Sequence, residues 1–120
     1  MARFMKLEVN NKEYLIGFSN RMSALKAEKQ GLYNAIQNLE TSPLDSYFKL
    51  LKLGLIDKQP TITNDEVNEI LEGITANNDD ESTEEVINFG DISKFLIEEY
   101  MAFLSTQGKK KTKKLEIVEM

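Results

Sequence analysis

Three adjacent carboxylate pairs, Asp79-Asp80, Glu84-Glu85 and Glu98-Glu99, are the side chains best placed to move protons or hold a cation. Neighbours on a helix point about 100° apart, so a pair on a helix does not converge on one substrate atom. For calcium, an EF-hand loop needs alternating oxygen ligands, a Gly at its sixth position and a Glu at its twelfth. A loop counted from Asn77 has Ser82 and Asn88 at those positions and fails both tests. The chain contains no Cys, no His and no Trp. That excludes a disulfide framework and a Cys/His zinc site. Acid–base catalysis near neutrality would then need a strongly shifted carboxylate or Lys. No Gly-rich phosphate loop is present. The expected inventory holds no catalytic residue, no metal ligand and no cofactor, and the expected protein is not an enzyme.

A second candidate chemistry is phosphate binding by Lys109, Lys110, Lys111, Lys113 and Lys114. The run lacks the interleaved aromatics on which bases stack, and the domain before it is acidic. A helix-turn-helix can be drawn over "SPLDSYFKLLKLGLIDKQPTITNDEVNEIL". Its would-be recognition helix opens with Asn64, Asp65 and Glu66, whose carboxylates repel DNA phosphates. A small DNA-binding regulator therefore stands only as the alternative.

The elements that must position these residues fall into two kinds. "MKLEVNNKEYLIGF" (Met5 to Phe18) holds two short apolar-rich runs around Asn10-Asn11, which suit the positive φ angles of a two-residue hairpin turn. That register faces Val9 to Lys12, Leu7 to Tyr14 and Met5 to Ile16, and puts all but Lys12 on one apolar side. It also opposes Glu8 to Glu13, a like-charge pair suited only to solvent. From Ser19 onward the spacing is helical. Ser19 or Asn20 caps a first helix with Met22 and Leu25 on its apolar side; Gly31 ends or interrupts it, and Leu32, Tyr33, Ile36 and Leu39 continue the stripe. Ser42, Pro43 and Asp45 start another, with Leu44, Tyr47, Phe48 and Leu51 inward and Gly54 as its stop. Thr63 and Glu66 form a capping box ahead of Val67, Ile70 and Leu71, and Gly73 marks the end. Thr75 to Glu85 is expected as an acidic loop. Asp91 then caps a final helix carrying Ile92, Phe95, Leu96, Tyr100, Phe103 and Leu104, ended by Gly108.

The predicted architecture is mainly α: four to five helices with an N-terminal β-hairpin at 5–18. Residues 1–108 make one domain and 109–120 a flexible Lys-rich tail. "MARF" has no pattern of its own, and Met5 offers a second start. At 120 residues and 13.7 kDa there is one modest core, burying roughly two-thirds of the unfolded surface. The 41% hydrophobic and 29% charged residues are those of a globular protein. No apolar run nears the ~20 residues of a membrane span, and the N-terminal residues lack a signal-peptide pattern. Net charge is −5 and unevenly spread. Residues 1–60 hold nine basic and six acidic side chains, 61–108 hold twelve acidic and only Lys94, and 109–120 hold five Lys and two Glu. Such a profile suits protein partners better than nucleic acid. The last helix also has more apolar residues than one face can hide, which leaves Ile97 and Met101 for a surface.

The stretches "MKLEVNNKEYLIGFSNRMSALKAEKQ", "GLYNAIQNLE", "SPLDSYFKLLKLGL", "TNDEVNEILEGI" and "DISKFLIEEYMAFL" together resemble the tail assembly chaperones of long-tailed bacteriophages. Those proteins begin with a similar Lys-Leu/Ile-x-Val/Ile-Asn-Gly/Asn-Lys-Glu-Tyr hairpin and continue as a small acidic helical domain. The likeness runs from about Met5 to Gly108. It implies a non-enzymatic protein that binds the tape-measure protein, and in some systems the major tail-tube protein, before tail polymerisation. It also implies action in the bacterial host cytoplasm and absence from the mature virion. The expected partner-binding residues are Tyr14, Leu15, Ile16, Phe18, Ile97 and Met101. The hairpin itself is either a docking element with unpaired edges or a lid over the helices.

Overall fold

The computed structural model describes residues 2–82 and 85–105. The chain opens with an antiparallel pair, β1 (Phe4–Val9) and β2 (Lys12–Gly17). The register is the predicted one, with Met5 opposite Ile16, Leu7 opposite Tyr14 and Val9 opposite Lys12. Asn10 and Asn11 take φ of 55° and 61°, the left-handed pair that a tight turn matched to strand twist requires. Leu7, Val9 and Ile16 are buried, and Met5 and Tyr14 pack half-buried beside them. Opposite them, the Glu8–Glu13 pair is not left to solvent alone. The Lys6 ammonium lies 3.2 Å from Glu8 and 3.0 Å from Glu13 and offsets their repulsion.

Five helices follow: α1 (Arg21–Lys29), α2 (Leu32–Gln37), α3 (Pro43–Leu55), α4 (Asn64–Asp79) and α5 (Phe89–Ser105). Asn20 is the cap of α1, its Oδ1 accepting the Ser23 N–H at 2.9 Å. Its buried face is Ala24 and Ala27, and Met22 stands exposed, contrary to the predicted stripe. Small residues let the helix backbone approach its neighbours, so the longest apolar side chain is not the one that packs. Gly31, at φ 103°, ends α1 in the left-handed conformation. Leu32 is then buried in α2 and Tyr33 exposed.

In α3 the expected face is also rotated. Ser46, Leu50, Leu51, Leu53 and Leu55 are buried, and Leu44 is exposed. Gly54 does not stop the helix. It sits within α3, where a Cβ would come 2.8 Å from both Ile16 Cγ2 and Leu96 Cδ2. The residue is Gly because β2, α3 and α5 converge there. Gly73 has the same role in α4: a Cβ would lie 2.6 Å from Val9 Cγ2 and from the Asn10 side chain. The α4 cap is as predicted, Thr63 Oγ1 accepting the Glu66 N–H at 3.2 Å. With Gly73 explained by packing, the helix runs on through Thr75 to Asp79, so the first half of the expected acidic loop is helical. α5 starts two residues before Asp91, with Asn88 Oδ1 accepting the Gly90 N–H at 2.7 Å. Gly108 and the Lys-rich tail lie outside the described residues.

The core is one cluster in which β2's Ile16 and the following Phe18 meet Leu50, Leu51 and Leu55 of α3, Val67, Ile70 and Ile74 of α4, and Ile92 and Leu96 of α5. Among the described residues no helix is long and apolar enough to cross a membrane.

Candidate functional site: the hairpin edges and the outer face of α5

A two-stranded sheet has two outer edges, each a row of backbone donors and acceptors. In an antiparallel pair the residues alternate between bonding the partner strand and pointing away from it. Gln59 fixes the phase. Its Oε1 accepts the Leu15 N–H at 2.9 Å, and its Nε2 donates to the Leu15 carbonyl at 2.9 Å. Leu15 therefore turns its backbone outward, and one side-chain amide occupies both groups as a neighbouring strand would. Gln59 is held in turn by its own N–H, which donates to the Leu55 carbonyl at 2.9 Å at the end of α3. The edge of β2 is plugged at its middle.

β1 lies differently. Lys6, the partner of Leu15, shares its phase, so Phe4, Lys6 and Glu8 aim their N–H and C=O groups away from β2. Among the described residues none of these groups has a backbone partner besides the ladder. Beside this edge runs a cleft of about 360 Å³ lined by Met5, Leu7 and Glu8 on one side and Glu85, Ile87 and Asp91 on the other. The far wall cannot itself join the sheet through Ile87. Asn78 holds that residue's N–H and C=O, each at 2.7 Å.

The expected partner-binding residues divide between surface and core. Leu15 is 39% exposed and Met101 55% exposed, and Tyr14 and Ile97 are half-buried. Ile16 and Phe18, at 0% and 1%, are core and present nothing to a partner. Their places follow from strand alternation: Ile16 faces the helices whenever Leu15 faces out. Ile97 borders a hollow between α5 and the α2–α3 region, with Leu39, Tyr47, Lys94 and Glu98. Tyr47 stacks on Phe89 next to it, ring centroids 5.0 Å apart.

Of the carboxylate pairs, Glu98-Glu99 is engaged within the fold. Glu99 is 4% exposed and its Oε2 accepts from Arg3 Nη2 at 2.6 Å and Nε at 3.0 Å. Glu98 lies 4.0 Å from the same guanidinium. Arg3 also sits 5.6 Å over the Phe95 ring, and Lys58 sits 4.9 Å over Phe4. Arg3 and Phe4, in a stretch that has no pattern in the sequence, are thus tied into the fold. Asp57 accepts from the Ser19 N–H, the Ser19 hydroxyl and, at 2.8 Å, the Ser23 hydroxyl. That joins the exit of β2 to α1 and the end of α3. Burial, then the hydrogen bond from its hydroxyl to Glu28 at 2.9 Å, pushes the Tyr100 phenol above its usual pKa. Among the described residues no three acidic side chains gather as a cation site.

Gln59 and Asn78 carry no sequence signal. Each acts on backbone distant along the chain, and an exposed-looking amide in a polar stretch does not announce that. No protein-family model matches the chain, and neither does any curated protein or solved structure.

Proposed function

We propose that this chain is a binding protein for other polypeptides, a tail assembly chaperone of a long-tailed bacteriophage. It binds the tape-measure protein, and in some systems of this kind the major tail-tube protein, in the host cytoplasm before the tail polymerises, and leaves before the virion is complete. The observation that carries this reading is the hairpin. It sits at the front of a small acidic helical domain, in the order that the resemblance requires, and among the described residues one of its edges has no strand beside it. Apolar residues that the core does not use, Leu15 and Met101 among them, add contact surface. The acidic exposed side of α4, with Asp65, Glu66, Glu69 and Glu72, keeps a complex with an aggregation-prone cargo soluble by charge repulsion. The same side weakens the regulator reading, because the helix that would enter a DNA groove opens with those carboxylates.

Co-expression with the long helical protein and the tube protein encoded in the same gene cluster tests the proposal. The expected result is a soluble complex that survives moderate salt. Failure of both partners to co-purify overturns it.

A further inference from the structure

We infer that the outer edge of β1 is a docking site for an extended segment of a partner, one that alternates apolar and basic residues. This deepens the binding-protein reading and rests on it. Three observations converge on this edge rather than another surface. The N–H and C=O groups of Lys6 and Glu8 point outward, and among the described residues they have no backbone partner. The competing edge is blocked at its middle, since Gln59 takes both backbone groups of Leu15. The nearest stretch of this chain is also unable to fill the place, because Asn78 ties up Ile87 across the cleft.

The shape and charge of the cleft define the occupant. Side chains of an added strand alternate between the two faces of the sheet. On the inner face they meet Met5, Leu7, Ile87 and Ile92, which are apolar and wholly or partly buried. On the outer face and at the rim they meet Glu8, Glu85 and Asp91, against Lys6 as the one cation among the described residues that line the cleft. Lys6 is itself engaged by Glu8 and Glu13. An occupant with apolar residues on one side and Lys or Arg on the other satisfies both faces, and backbone bonds to Lys6 and Glu8 supply the register.

The probe is a blocked heptapeptide of alternating Val and Lys, with a Val and Glu peptide as its control. In the full chain, amide exchange and NMR shifts report the site directly. The Val-Lys peptide is expected to slow exchange and move signals at Lys6 and Glu8, and the Val-Glu peptide to do neither. Lys6→Pro removes one outward N–H and no bond of the β1–β2 ladder. It is expected to weaken the Val-Lys peptide by about tenfold, while Lys6→Ala, which removes the side chain and its charge but keeps the backbone N–H, keeps the binding. Unperturbed β1 amides, or equal binding by the proline variant, overturn the inference; equal binding of the Val-Glu peptide overturns the charge requirement. If the proline variant does not fold, the exchange result on the unaltered chain decides. Cargo that co-purifies although β1 is indifferent to the peptide leaves the chaperone reading intact and removes this site. The converse pattern removes the chaperone reading and keeps the site.

Discussion

β1 and β2 are each six residues long, belong to one hairpin and contribute to one core, yet they meet the rest of the molecule differently. β2 lies over the point where α3 and α5 converge and has Gln59 on its outer edge. β1 touches α4 through its last residues and the turn, where Asn10 Nδ2 donates to the Glu69 carbonyl at 3.1 Å, and has an open cleft along its outer edge. The contrast shows that whether a strand edge is closed or available need not depend on a further strand. A single amide side chain, correctly held, satisfies one residue's donor and acceptor and blocks strand addition there.

The strongest way to break the contrast is to remove core from each strand. Ile16→Ala in β2 is expected to cost about 2–5 kcal/mol, and Met5→Ala, half-buried on β1, about 1–2 kcal/mol. Denaturant midpoints that fall equally for both would show that β1 is anchored as deeply as β2. Next in size is Gly54→Val, which drives a side chain into Ile16 and Leu96. It is expected to lose about 1–3 kcal/mol, read from the same titrations. Gln59→Ala is smaller in stability, about 1 kcal/mol, but sharpens the comparison most. It unplugs the β2 edge, and sedimentation is expected to show self-association that the parent chain lacks at equal concentration. The smallest effect links the two strands across their outer face. Lys6 hydrogen-bonds and attracts Glu13, holding that carboxyl below its ordinary range. Stability from this pair is complete above the unfolded carboxyl value of about 4.3 and is lost as pH falls through the lower folded value. The thermal midpoint is therefore expected to drop slightly more from pH 6 to pH 3 in the parent than in Glu13→Gln, and 1 M salt is expected to erase the difference.

Local signals carried much of this architecture. The hairpin register followed from Asn10-Asn11 and the alternation around them, and the α4 start from Thr63 and Glu66. Helix faces and ends were harder. Gly54 and Gly73 look like stops because Gly often follows a helix. Each is instead a place where another side chain comes too close for a Cβ, and that neighbour lies far away in sequence. Met22 and Leu44 look like core by residue type, but Ala24, Ala27 and Ser46 face inward because the helices approach closely there. Of the expected binding residues, Met101 was legible as a surplus apolar group, whereas Ile16 and Phe18 belong to the core.

The sequence alone determined the kind and order of the elements, the turn that joins the strands and the absence of thiol and imidazole chemistry, since these depend on residue type and on neighbours a few positions away. Which edge of the hairpin is closed was decided only in three dimensions. It depends on Gln59 reaching Leu15 and Asn78 reaching Ile87, contacts whose geometry exists only after the helices have packed.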